Sequence, residues 1–242
     1  MSGELSLDSL RALVAGWLEA GRTVIGPVRS GSGHVEFAAL RSAEALYLDG
    51  WRAAANSIKE AVFPRHEKLY SYRTGKNGIE LMDQPEPVGE VVIIGAHPCQ
   101  AASLPILDKV FNWDCADEFY NRRRAAVTVV SLACSAFDDQ CFCTSVGLGP
   151  ASEKGSDAML YEMPGGFAVR TFTKKGRALF GDISAPAQPA MEGPPVRFDA
   201  RRVREFLRDG FDAPFWKEST LACLGCGLCA YVCPACHCFD IV

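Results

Sequence analysis

The sequence predicts an α/β (α+β) domain followed by a short cysteine-rich tail, and three observations predict it. Residues 90–96 (EVVIIGA) and 125–133 (AAVTVVSLA) are β-branched, nearly continuous apolar runs, as strands buried on both faces require. Between them Ser103 can cap a helix that puts Leu104, Leu107, Val110 and Phe111 on one side, completing the strand–helix–strand pattern of a parallel sheet. Eleven cysteines stand among the 242 residues, six of them from Cys223 to Cys238.

The remaining elements follow in chain order. Leu10, Leu13, Val14, Trp17 and Leu18 recur at helical spacing, so an amphipathic helix runs up to Gly21. Residues 23–25 and 34–40 are strand-like, with the turn-prone Ser30-Gly31-Ser32-Gly33 between them. Polar sequence from Tyr72 to Gly78 reads as an exposed turn. Residues 158–163 and 166–173 form a hairpin around Pro164-Gly165, and residues 176–180 start a further element. Residues 184–195 (SAPAQPAMEGPP) have the composition of a linker. Asp199 then caps a short helix with Val203, Phe206 and Leu207 on one face. The expected division is a domain over 1–183, a linker over 184–198, and a helix with the cysteine tail over 199–242. No internal repeat is visible, and the scattered Trp and Phe residues read as core.

Composition narrows the function classes. The chain is 48% hydrophobic and 22% charged with a formal net charge of −4, so disorder and collagen-like structure are excluded. A slightly acidic chain does not suit a nucleic-acid backbone binder. The N-terminal segment MSGELSLDSLRALVAGW has acids at Glu4 and Asp8 and no basic flank, unlike a signal peptide. No apolar run reaches the roughly 18 residues of a membrane span. The expectation is a soluble, cytoplasmic protein, and in a reducing compartment clustered thiols serve as ligands more often than as cystines.

Cys223-x2-Cys226-x2-Cys229-x3-Cys233-Pro234 is the bacterial ferredoxin run. A [4Fe–4S] cube needs four thiolates around a compact core, and the two-residue steps place three on neighbouring corners. Gly225 and Gly227 let backbone N–H groups approach the sulfides. Zinc is the competing ligand, but its paired cysteines are usually separated by a dozen or more residues, and no such gap exists here. In two-cluster ferredoxins the fourth cysteine serves the other cluster. Cys236 and Cys238 are spare thiols within reach, and the spacing does not say which cysteine completes the set. His237 is expected to face solvent or support the ligands from behind, with ligation of iron as the alternative.

A second group of cysteines lies in the predicted sheet. Cys99 follows the strand ending at Ala96, and Cys134 follows the strand ending at Ala133. If these strands are parallel neighbours, both cysteines lie at the carboxyl edge, where open α/β sheets place their ligands. Cys141 and Cys143 occupy the loop just beyond and can fold back. Cys99, Cys134, Cys141 and Cys143 therefore form a candidate second [4Fe–4S] site, against the alternative that each is a buried apolar cysteine. Cys115 has no such company and reads as structural. Arg122-Arg123-Arg124 reads as a solvated or locally paired basic turn, with docking of an acidic partner as the alternative, and Asp138-Asp139 as turn residues, with a carboxylate ligand as the alternative. Residues 30–34 lack the third glycine of a dinucleotide site, and no phosphate loop, GxSxG or HExxH is present.

Several motifs occur together: the tail run extended to Cys236-His-Cys238-Phe239-Asp240, Cys141-Phe142-Cys143 leading to Gly147-Leu-Gly149-Pro150, and Pro98-Cys99 after a buried strand. Lys59-Glu60 followed by Phe63-Pro64 and Glu67, and Tyr120 followed by Arg122-Arg123, accompany them. Over roughly residues 50–242 the chain resembles the iron–sulfur β subunit of cytoplasmic sulfhydrogenases ([NiFe] hydrogenases), itself similar to an iron–sulfur component of anaerobic sulfite reductase. The resemblance implies a sheet-domain cluster at the four positions above and at least two [4Fe–4S] clusters in all. It also implies an electron relay, without substrate chemistry of its own, between a flavin subunit that uses NAD(P)H and a catalytic metal subunit. That subunit would be a hydrogenase small subunit or a sulfite reductase. Gln100 stands where the family has an acid. Relatives continue past this point into a second ferredoxin run, so the expectation is a shortened relay in which Cys223, Cys226 and Cys229 are secure ligands and Cys233 is open. The rival readings are a catalytic subunit that binds flavin or reduces a small sulfur compound at the sheet edge, and a zinc-stabilised scaffold.

Overall fold

The computed structural model describes residues 3–76, 78–82, 88–181, 183, 185–186 and 191–239. β1 (Glu4–Ser6) leads into α1 (Leu7–Glu19), whose first turn is capped by the Ser6 hydroxyl accepting from the Ser9 N–H at 3.1 Å. β2 (Thr23–Arg29) and β3 (Val35–Ala39) form a hairpin across the predicted Ser30–Gly33 turn. β4 (Ser71–Gly75) and β5 (Gly78–Met82) form a separate two-stranded ribbon, so most of the stretch from Tyr72 to Gly78 belongs to two exposed strand arms.

β6 (Val91–Ala96) is followed by α2 (Pro98–Ala101), α3 (Leu104–Val110), α4 (Glu118–Ala126) and β7 (Val127–Leu132). Three expectations change here. Ser103 does not cap α3, because its hydroxyl donates to the Gln100 carbonyl at 2.6 Å. Ala125 and Ala126 belong to the last turn of α4, so the strand starts at Val127. Arg122, Arg123 and Arg124 lie on that helix and not in a turn, although two of them are locally paired, Arg123 with Glu67 and Arg124 with Asp108.

β8 (Ala158–Met163) and β9 (Gly166–Thr171) form the predicted hairpin, and α5 (Lys174–Phe180) follows. The main sheet is mixed, in the order β1-β9-β8-β7-β6-β2-β3. Its centre, β2-β6-β7-β8, is parallel, and antiparallel hairpins close both edges.

Both faces of this sheet are covered, which is why β6 and β7 read as unbroken apolar runs. Val92 and Ile94 face Leu10, Val14 and Trp17 of α1, while Ile93 and Ala96 face Leu104 and Leu107 of α3. Burying a side chain such as Ile93 or Ile94 stabilises the fold by about 1.5–3 kcal/mol each. Ile58 and Val62 join the second cluster and anchor a 3₁₀ turn at Ile58–Ala61 against β6.

Of the linker, residues 184 and 187–190 lie outside the described residues. Its described part runs against the domain: the Ala185 N–H donates to Val169 O at 2.6 Å and Thr144 Oγ1 donates to Pro194 O at 2.8 Å. α6 (Ala200–Asp209), capped by Asp199 as expected, α7 (Pro214–Thr220) and α8 (Leu228–Val232) complete the chain. Not every large apolar side chain is core. Trp113 is 88% and Phe211 83% exposed, and the Val203–Phe206–Leu207 face of α6 is open.

Candidate functional site

Cys99 and Cys134 stand just past the carboxyl ends of neighbouring parallel strands, since β6 and β7 pair in parallel from Val91–Val127 to Ala96–Ser131. A bulge interrupts β6 at Gly95, one residue before its end, where φ is +82° and a Cβ would meet Leu48 Cδ2 at 2.7 Å. The bulge re-aims the chain at the sheet edge. Through His97 it enters α2, where the Gln100 side chain accepts from the His97 N–H and the His97 ring accepts from the Gln100 N–H in a reciprocal cap. This fixes the turn that presents Cys99, which remains exposed. Cys134 is half-buried, and its N–H donates to Pro150 O at 3.0 Å.

The loop beyond β7 brings Cys141 and Cys143 within electrostatic reach of Cys134. Asp138 serves as a turn residue: its carboxylate accepts from the Gln140 N–H at 2.8 Å and its carbonyl from the Cys141 N–H at 3.2 Å. Cys143 opens a 3₁₀ turn (Cys143–Val146) that Gly147 closes. Arg197, near the end of the linker, ties this loop down. Its Nε donates to Cys141 O at 2.7 Å, its Nη2 to Asp138 O at 3.4 Å, and its N–H to Ser145 Oγ at 2.9 Å.

The four thiols are near enough to act on one another electrostatically. Burial, and then the neighbouring Cys99, Cys143 and Cys141, push Cys134 up to about 12, partly countered by the Arg52 charge. Crowding by the surrounding protein, followed by Cys143, raises Cys99 even though its surface is open to solvent, and desolvation raises Cys141. A thiol pushed up in this way is neutral and protonated in the metal-free chain, and must give up that proton to become a ligand. Arg52 and Arg197 had no signal in the sequence, because an arginine's partners in space leave no local pattern.

In the tail, Cys223 follows α7, Cys226 lies in the loop, Cys229 is in the first turn of α8, and Cys233 closes that helix. The Gly225 N–H donates to Cys223 Sγ at 3.4 Å, and Gly225 and Gly227 both have positive φ. Cys233 and Cys236 share a thiol hydrogen bond. Although burial opposes it, the N–H of Ala235, the Cys236 thiol and N–H, and the Lys59 charge hold Cys233 below its ordinary value, while that hydrogen bond and burial raise Cys236. Cys238 is exposed, as is His237. Cys115, expected to be structural, is exposed rather than packed. Among the described residues, no three His, Cys, Asp or Glu side chains stand close enough to hold a single metal ion.

The chain is 32% identical to sulfhydrogenase 2 subunit beta of Pyrococcus furiosus over 242 aligned residues, covering 92% of this chain and 68% of that one. It belongs to the sulfhydrogenase β-subunit family. No protein-family profile and no solved structure matches the chain. Several positions that carry the family resemblance hold the framework here. Glu67 pairs with Arg123, and the buried Tyr120 donates its hydroxyl proton to Asp108 at 2.6 Å, its ionisation suppressed by burial and by that carboxylate. Lys59 and Glu60 reach the tail. Among the described residues, no helix of this family member is long and apolar enough to cross a membrane.

Proposed function

We propose that the chain is an iron–sulfur electron-transfer subunit of a multi-subunit redox complex. The observation that carries this reading is the convergence of Cys99, Cys134, Cys141 and Cys143, free thiols from distant segments, at the carboxyl edge of β6 and β7. Soft thiolate donors suit iron–sulfur groups. The four thiols sense one another electrostatically, although among the described residues no three stand close enough to hold a single ion. Four cysteine donors are the set that a [4Fe–4S] group takes, which supports such a group at the sheet edge. A second would be held by Cys223, Cys226 and Cys229, with Cys233 or one of Cys236 and Cys238 as the fourth ligand. Such a group supplies one-electron storage and release at a potential set by hydrogen bonds, burial and nearby charge.

The chain's own residues do the rest. The end of β7 and the α2 turn fix two thiols on a rigid sheet, and Arg197 fixes the loop that carries the other two. Arg52 offsets negative charge gathered beside Cys134. In the tail, the Gly225 N–H directed at Cys223 Sγ is the kind of donor that tunes a ligating thiolate. The proposed partners are a flavin subunit that uses NAD(P)H and a catalytic metal subunit, between which this chain passes electrons in the cytoplasm. This rests on family membership and on the subunit naming of the relative.

Anaerobic purification with iron and acid-labile sulfide analysis, and EPR of the dithionite-reduced chain, test the reading. Two sets of reduced-cluster signals are expected. A colourless protein with stoichiometric zinc and no iron would overturn it. Identification of the subunits that co-purify tests the partners.

A further inference from the structure

We infer that Lys59 is the positioning residue that joins the α/β domain to the cysteine tail and raises the reduction potential of the cluster held there. The inference rests on the iron–sulfur reading of the tail. Lys59 is only 6% exposed, although lysine is almost never buried without a partner. Its Nζ donates to Ala230 O at 2.8 Å, Cys233 O at 2.9 Å and Cys236 O at 3.1 Å, across more than 170 residues of sequence. An ammonium has three protons to donate, and all three are used.

Each partner has a reason to need it. α8 is a single short helix whose last carbonyls have no helical partner, and a cation at a helix C-terminus both satisfies them and suits the helix dipole. The other two carbonyls belong to Cys233, the last cysteine of the ferredoxin run, and to Cys236 just beyond it. The lysine backbone is itself fixed: the Ser57 hydroxyl accepts from the Lys59 N–H at 3.2 Å, and Ile58 and Val62 are each 1% exposed in the core. Neighbouring residues hold the same helix. Tyr231 donates its hydroxyl proton to Glu60 at 2.6 Å, and the Arg65 guanidinium lies 4.8 Å over the Tyr231 ring. The tail is thus docked on a rigid part of the domain by one buried cation and an aromatic contact.

The charge has an electronic consequence. Among the described residues the ammonium's hydrogen bonds all go to neutral carbonyls and none to a carboxylate, and the Glu60 carboxylate beside the same helix is paired with Arg65, so the positive charge is not neutralised by direct contact. A thiolate-bound cluster gains one further negative charge when it accepts an electron. A fixed cation in a partly buried setting stabilises that reduced form more than the oxidised one.

The test uses the full chain, prepared anaerobically with its clusters, as wild type, Lys59→Met, Lys59→Gln and Lys59→Arg. EPR-monitored redox titration reads the tail signal, identified as the one lost in Cys226→Ala. Amide hydrogen exchange reads residues 228–238. Lys59→Met is expected to move the tail midpoint to more negative potential and to speed exchange of these amides at least tenfold. Lys59→Gln, which keeps two donors but no charge, lowers the potential with a smaller effect on exchange, and Lys59→Arg restores both. Wild-type potential and exchange in Lys59→Met overturn the inference. A wild-type chain that takes up no iron in the tail overturns the iron–sulfur reading and the potential effect with it, while exchange in the metal-free chain still decides whether Lys59 docks the tail.

Discussion

The indole of Trp51 lies flat on the imidazole of His97, with ring centroids 4.0 Å apart and planes 6° from parallel. Phe37 meets the same indole edge-on at 5.5 Å, so an aromatic wall backs the point where β6 hands over to the Cys99 turn. Burial, and secondarily the nearby Arg52 charge, lower the His97 pKa to about 4. The ring is therefore neutral at physiological pH, free to accept from the Gln100 N–H in the cap that shapes α2.

Stability of the metal-free chain is expected to fall in mild acid through His97. Its folded pKa of about 4 lies below the ordinary value of 6.5. The contribution is thus complete above about pH 6.5 and is lost as pH falls towards 4. A shift of this size corresponds to at most about 3 kcal/mol. Urea unfolding across that range in wild type and His97→Phe checks it: the variant loses the cap but shows a flatter pH dependence. Equal slopes in the two proteins would rule the assignment out.

Gly155→Ala is expected to destabilise the fold by roughly 2–4 kcal/mol and to displace Cys99. Gly155 has φ +81°, and a Cβ there would strike the carbonyl of Ala101, the last residue of α2. Backbone cannot swing aside as a flexible side chain can, so the helix carrying Cys99 must shift. Thermal unfolding reads the stability loss, and the rate at which Cys99 reacts with a thiol reagent reads the displacement. An unchanged midpoint and unchanged reactivity would contradict it.

The parts of the fold legible in the sequence are those where local pattern and tertiary burden agree. β6 and β7 are apolar on both sides because helices cover both faces, and two adjacent parallel strands necessarily put Cys99 and Cys134 at one edge. α4 was illegible for the converse reason. Its three arginines read as a turn, and its closing Ala125-Ala126 read as the start of the strand, because alanine is compatible with either. Ser103 has the residue type of a cap, yet its hydroxyl is taken by Gln100 O, a choice set by the preceding turn of α2. At the site, cysteine positions were visible because cysteine spacing is a local signal. Arg52, Arg197 and the burial of Lys59 were not, since charged residues read as solvated until the chain folds around them.

Arg197→Ala is expected to release the loop that carries Cys141 and Cys143. The variant loses charge-assisted hydrogen bonds to Cys141 O and Asp138 O, while its own N–H to Ser145 Oγ persists. The side chain is 35% exposed, which limits the stability loss to about 1–2 kcal/mol. The larger effect falls on loading, because two of the four thiols are no longer held in place. Anaerobic reconstitution should give slower and less complete iron uptake at the sheet edge with the tail signal intact. Wild-type uptake kinetics would show that the arginine does not hold the loop.

The sheet-edge cysteines are expected to behave as one unit. If Cys99, Cys134, Cys141 and Cys143 share a group, removing any one removes support for the whole, and effects of residues that act together do not add. Cys99→Ala and Cys134→Ala should each abolish one of the two EPR signals and lower iron content by the same amount, and the double variant should lower it no further. Cys115→Ala, at an exposed position outside both groups, should retain full iron content. Tail substitutions supply the internal control, since Cys226→Ala should remove the other signal and leave this one. Iron losses that add between Cys99→Ala and Cys134→Ala would place the two cysteines in separate sites and break the sheet-edge assignment.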